Sequence, residues 1–120
     1  MSNDQSVTIW HNPRCSKSRA TMELLKERGI VPNVVRYLDD PPDVAELDRV
    51  LRLLDLEPRG LMRRKESAYG DLGLDDDSLE RAALLKAMHE HPVLIERPVV
   101  LAGGRAAIGR PPENVLEILD

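Results

Sequence analysis

Apolar and polar positions along the chain follow two alternating periods. Val7-Thr8-Ile9-Trp10 is a short apolar run of the kind a buried strand makes, and Val34-Val35-Arg36-Tyr37-Leu38 predicts a second. Between them the chain from Ser16 or Lys17 to Arg28 reads as a helix, with Gly29 as its C-terminal stop. Asp39-Asp40-Pro41-Pro42-Asp43 has the cap and proline chemistry of a helix start, and Val44, Leu47, Val50, Leu51 and Leu54 keep one apolar face through the helix beyond it. Pro58 to Lys65 predicts a short helix carrying Arg59, Arg63 and Arg64, and Tyr69 to Asp76 a loop. Asp77 or Ser78 is placed to cap a third long helix that ends near His89, before Pro92. Val99-Val100-Leu101 and Arg105-Ala106-Ala107-Ile108 flank Ala102-Gly103-Gly104, the pattern of a tight hairpin. Pro111 or Pro112 opens a last helix whose Val115, Ile118 and Leu119 face inward.

The element order is therefore βαβ, then helices, then ββα. A βαβ unit sets its strands parallel with a right-handed crossover, whereas a hairpin is antiparallel. Together they predict an α/β protein with a four-stranded mixed sheet flanked by helices and a helical insertion between the two parts. With a reactive cysteine after the first strand, that order points to a thioredoxin-like (glutaredoxin-like) fold. At 120 residues the expectation is one domain, 1–120. The absence of phenylalanine leaves Leu, Val, Ile, Ala and Met to build its core. The net charge of −4 argues against general binding to nucleic acid or to an anionic membrane surface, and it makes a local cluster of arginines more telling. No apolar run approaches the ~20 residues of a membrane span, and Met1-Ser2-Asn3-Asp4-Gln5 lacks the pattern of a signal peptide. The expected location is cytoplasmic.

Cys15 is the one cysteine of the chain. It cannot form an internal disulfide, so any redox chemistry must take its resolving thiol from another molecule, and no metal site is expected. His89 and His91, beside Pro92, read as a helix terminus rather than a metal pair. A lone cysteine in a cytosolic domain is ordinarily an inert small apolar residue. The position of Cys15 reverses that expectation. It stands at a strand-to-helix junction, where unpaired backbone N–H groups and the helix dipole stabilise a thiolate, with His11, Arg14, Lys17 and Arg19 close in sequence. His11 by itself reads as a loop hydrogen-bonding residue. Arg49, Arg52 and Arg81 read as solvated helix faces and Arg105 as an exposed hairpin residue. Spacing alone does not separate Arg63 from Arg59 or Arg64.

Four separated motifs stand in order: His11-Asn12-Pro13-x-Cys15-x-x-Ser18-Arg19; Arg63 within Arg59-Gly60-Leu61-Met62-Arg63-Arg64; His91-Pro92-x-Leu94-Ile95-x-Arg97-Pro98; and Arg110-Pro111. From about residue 7 to 120 the chain resembles the ArsC family of glutaredoxin-coupled arsenate reductases. That resemblance implies Cys15 as nucleophile, His11 as the histidine that tunes it, and Arg63, Arg97 and Arg110 as holders of the oxyanion and its covalent adduct. Ser18 is placed to hydrogen-bond the thiolate or adduct, and Pro98 matches the cis-proline beside the cysteine. It also implies arsenate as substrate, glutathione as co-substrate, glutaredoxin as partner and no bound cofactor, in a protein expected to be a monomer. The chemistry is coherent, because guanidinium forks suit a tetrahedral dianion and offset its charge as a thiolate approaches. Arg14, Ser16 and Lys17 depart from the small residues found around the cysteine in the family's best-characterised form.

Rival readings differ in what they require. A thiol-dependent phosphatase loop needs an arginine where this chain has Thr21, which excludes it. A thiol transferase acting on a non-arsenate substrate would keep Cys15 but have little use for three oxyanion arginines. Spx-type regulators, which bind RNA polymerase, share the fold and the Arg-Pro motif but usually carry Cys-x-x-Cys. These two remain as alternatives.

Overall fold

A computed structural model describes residues 7–119. Strands β1 (Val7–Trp10), β2 (Asn33–Val35), β3 (Val99–Ala102) and β4 (Arg105–Ile108) form one sheet in the order β2-β1-β3-β4. β1 runs parallel to β2 and antiparallel to β3, and β3 and β4 are antiparallel. Helix α1 (Ser16–Glu27) makes the crossover between β1 and β2. This is the thioredoxin-like arrangement. The two central strands are nearly continuously apolar, as strands covered on both faces must be: Ile9, Val99 and Val100 are fully buried. Leu25 of α1 and Val115 join Ile9 and Val100 in one core cluster with Val7 and Ala102. Gly103 and Gly104, with φ of 55° and 76°, supply the two left-handed positions that a two-residue hairpin turn needs.

By its contacts the chain divides into two compact units: the residues up to Tyr37 with those from Arg97 onward, and Leu38–Glu96. The first contains the sheet and α1. The second contains α2 (Val44–Leu54), α3 (Ser67–Asp71) and α4 (Arg81–Glu90), with 3-10 turns at Pro58–Leu61 and Pro92–Leu94. The Asp43 carboxylate accepts the Glu46 N–H at 2.8 Å to cap α2, and Asp55 ends that helix in the left-handed region. Leu47, Val50 and Leu51 of α2 and Met88 of α4 are fully buried. On the surface Arg52 and Arg81 share Asp48, and Arg49 pairs with Glu46.

Several predicted boundaries move, each for a local reason. β2 spans Asn33–Val35 and not Val34 to Leu38. β1 ends at Trp10, the His11 N–H closes on the Val35 carbonyl at 2.9 Å, and Tyr37 is then buried from a turn. The helix expected to run from Pro58 to Lys65 stops as a 3-10 turn at Leu61. Beyond it Met62 bridges Ile95, and the Arg63 N–H donates to the Leu94 carbonyl at 2.7 Å, so pairing between segments overrides helix continuation. The loop expected over Tyr69 to Asp76 begins inside the short helix α3. α4 starts at Arg81, because the Asp76 carboxylate holds the Ser78 N–H and hydroxyl at 2.9 and 2.8 Å and closes a turn there. The last helix is 3-10 throughout (Pro112–Ile118), although Val115 is buried and Ile118 and Leu119 pack on the core as expected.

Candidate active site

The loop from β1 into α1 is organised around Asn12 and Ser18, both buried. The Asn12 carbonyl accepts the Cys15 N–H at 3.0 Å, its side-chain oxygen accepts the Arg14 N–H at 3.0 Å, and its own N–H donates to Ser18 Oγ at 3.0 Å. The sequence places Asn12 in the first motif but assigns it no role of its own. The signal was there: an Asn-Pro pair before a helix is turn chemistry with a side chain that bonds its own backbone. Ser18 Oγ also lies 2.6 Å from His11 Nδ1. Arg19 donates to the Pro13 carbonyl at 2.9 Å, so one of the nearby cations braces the loop itself.

Cys15 is the N-cap residue of α1 and 9% exposed. Its side chain makes no cap hydrogen bond of the kind a serine or aspartate makes. Burial pushes the thiol pKa up, but the Ser18 and Lys17 N–H groups and the Arg97 guanidinium, by hydrogen bond and by charge, outweigh it and hold the thiol below its ordinary range. Ser18 therefore serves the sulfur through its backbone N–H, while its hydroxyl is engaged with His11 and Asn12. His11 is pushed down by burial first, then by the positive charges of Arg36 and Arg19. At neutral pH it is an uncharged imidazole, and the cation acting on the thiolate is Arg97.

Arg97 and Arg110 meet through the sheet. β3 and β4 pair Val99 with Ile108, and the Gly109 N–H donating to the Pro98 carbonyl at 2.9 Å continues that register by one step. The next step sets Arg97 opposite Arg110, whose Nη1 lies 3.5 Å from the Arg97 carbonyl. The Arg110 guanidinium thus donates to the Arg97 backbone carbonyl and brings the two residues side by side beyond the end of the β3–β4 ladder. Each arginine precedes a proline across a cis bond, Arg97–Pro98 as expected and Arg110–Pro111 in addition. Asn114 Nδ2 holds the Arg110 carbonyl at 3.1 Å.

Arg63 belongs to the helical unit. Its Nε lies 3.4 Å from Glu66 Oε2, with both side chains about one-quarter exposed. Arg59, which spacing could not tell from it, is committed elsewhere: its guanidinium donates to the Leu74 and Asp76 carbonyls at 2.9 and 2.8 Å. Arg64 is exposed. The cysteine loop, Arg97, Pro98 and Arg110 thus come together within one unit, with the Arg97 guanidinium acting on the Cys15 thiol and Arg110 bonded to the Arg97 backbone.

Comparison with known proteins agrees with this geometry. The family model described as "ArsC family" matches residues 10–118. An arsenate reductase of Neisseria meningitidis is 54% identical over 114 residues, covering 94% of this chain and 97% of that protein. The uncharacterized protein YfgD of Escherichia coli (strain K12) is 54% identical over 116 residues, covering 96% and 98%. The solved structure of an arsenate reductase from Vibrio cholerae superimposes with a TM-score of 0.94 at 54% identity, covering 98% of this chain and all of that one. The chain belongs to the ArsC family.

Proposed function

We propose that this protein is an arsenate reductase in which Cys15 is the nucleophile and glutathione and glutaredoxin supply the reducing thiols. The observation that carries the reading is Cys15 at the start of α1, held toward its thiolate by the Ser18 and Lys17 N–H groups and Arg97. The 54% identity to an arsenate reductase supports the choice of oxyanion. The Cys15 thiolate attacks arsenic, and an arsenate oxygen leaves as water or hydroxide. The glutathione thiol then displaces a second arsenic-bound oxygen as water or hydroxide, so that arsenic carries both the Cys15 and the glutathione sulfur. A glutaredoxin thiol then removes the glutathione sulfur as a mixed disulfide, leaving the bonding pair on arsenic, which falls from the +5 to the +3 state. Hydrolysis of the remaining sulfur–arsenic bond releases arsenite and restores Cys15.

Arg97 and Arg110 hold the oxyanion in this reading, and Arg63 is the third arginine that the family resemblance implies. Pro98 lines the thiolate, and the Ser18–His11 pair positions the loop. The protein binds no cofactor and acts as a monomeric cytoplasmic enzyme of one catalytic domain. No described helix is long and apolar enough to cross a membrane.

The deciding experiment is a coupled NADPH assay with arsenate, glutathione, glutathione reductase and glutaredoxin. Arsenate-dependent turnover is expected in the wild type and its complete loss in Cys15→Ser. Absence of turnover in the wild type with glutaredoxin present overturns the proposal. Glutathione-disulfide exchange without arsenate dependence would identify a thiol transferase instead.

A further inference from the structure

Gly109 is buried, and the space around it is closed on two sides. A Cβ there would stand 2.6 Å from Thr21 Oγ1 and 2.8 Å from Pro98 Cγ, both well inside any contact a real side chain makes. Neither neighbour can give way cheaply. Thr21 is fully buried in α1, with its hydroxyl bonded to the Lys17 carbonyl at 2.9 Å, and Pro98 is a buried ring. A glycine is therefore required for the segment directly after β4 to approach α1 this closely. Gly109 also donates its N–H to the Pro98 carbonyl, so a single residue fixes the sheet extension to the helix that carries Cys15. Arg97 directly precedes Pro98, and Arg110 directly follows Gly109.

We infer that Gly109 is a positioning residue, a spacer held between Thr21 and Pro98 that sets the distance from Cys15 to the paired arginines Arg97 and Arg110. The inference rests on reading those arginines as the anion holders. Widening the gap by one methyl group displaces both guanidinium groups from the thiolate while leaving every ionisable side chain chemically intact. Anion recruitment then falls although the chemical groups are unchanged.

The test compares alkylation of Cys15 by iodoacetate and by iodoacetamide, which differ in charge and do not require reductase activity. Each rate is referred to free glutathione under the same conditions. Wild type is expected to favour the anionic reagent. In Gly109→Ala that preference falls about tenfold, the worth of roughly one displaced charged hydrogen bond. Thr21→Ala alone keeps the wild-type preference, and the Thr21→Ala/Gly109→Ala double variant recovers part of the loss. A folded Gly109→Ala protein with lowered melting temperature but wild-type preference overturns the inference, because the glycine then serves packing alone. If Gly109→Ala does not fold, the Thr21→Ala/Gly109→Ala double variant is compared with Thr21→Ala, because Pro98 still meets the added methyl group. An unchanged preference there overturns the inference equally. A wild type without any preference for iodoacetate instead removes the anion reading of the arginines, a separate failure.

Discussion

At the scale of single residues, two titrating groups a few residues apart are pushed the same way for different reasons. Cys15 is lowered in spite of burial, because N–H groups and Arg97 favour its charged form. His11 is lowered because burial and the charges of Arg36 and Arg19 disfavour its charged form. The rate of Cys15 alkylation by neutral iodoacetamide should therefore rise with pH through a midpoint below the ordinary thiol range, and Arg97→Gln should move that midpoint upward. His11 makes a second prediction through stability. The unfolded chain binds a proton at His11 near 6.5, while the folded chain holds that site neutral to lower pH. Between those two values the unfolded state carries more protons, so stability present at neutral pH is lost as pH falls through that window. Urea unfolding should show that slope, and His11→Gln should flatten it. An unchanged slope in the variant would assign the acid sensitivity to other groups.

At the scale of elements, what could be read from the sequence depended on whether one segment decided its own structure. α2 could be read because its apolar face and its cap are both local: Asp43 precedes the helix, and its carboxylate accepts the Glu46 N–H. Asp43→Ala should cost about 1 kcal/mol of stability, measured by denaturant unfolding with an unchanged m-value. The same logic failed at Asp77 and Ser78. There a rival local bond from Asp76 captured the residue expected to cap, and α4 began later. It failed at Met62 and Arg63 because strand-like partners arrived from the segment around Ile95, which no local pattern announces. The site divides along the same line. Cys15 at a helix start and Asn12-Pro13 before it are local chemistry, legible in principle. The Arg97–Arg110 pairing is a matter of sheet register, and only the family pattern pointed to it. Gly109 was invisible, because its requirement comes from Thr21, far away in sequence.

At the scale of the whole molecule, charge is distributed against the net balance. The chain carries −4 overall, yet the candidate site holds Arg97 and Arg110, with Arg14, Lys17, Arg19 and Arg36 on the adjoining loop, helix start and strand end. A small anion approaching from solvent meets a weakly repelling body and a locally attracting face, and the two contributions have different ranges. The repulsion from distributed surface charge is screened once the ionic strength brings the Debye length to ~10 Å or less. The contact with the partly buried Arg97 guanidinium is screened much less. If short-range contact dominates, moderate salt should therefore leave alkylation of Cys15 by iodoacetate unchanged or raise it slightly, and leave iodoacetamide nearly unaffected. A tenfold or greater loss with salt would mean that recruitment is long-range steering by the exposed cations. In that case the pair Arg14→Ser and Lys17→Ser should reproduce most of the loss at low salt, and Arg97→Gln little of it. If contact dominates, the opposite ranking is expected, and Arg97→Gln should abolish the preference while the exposed-cation variants keep most of it.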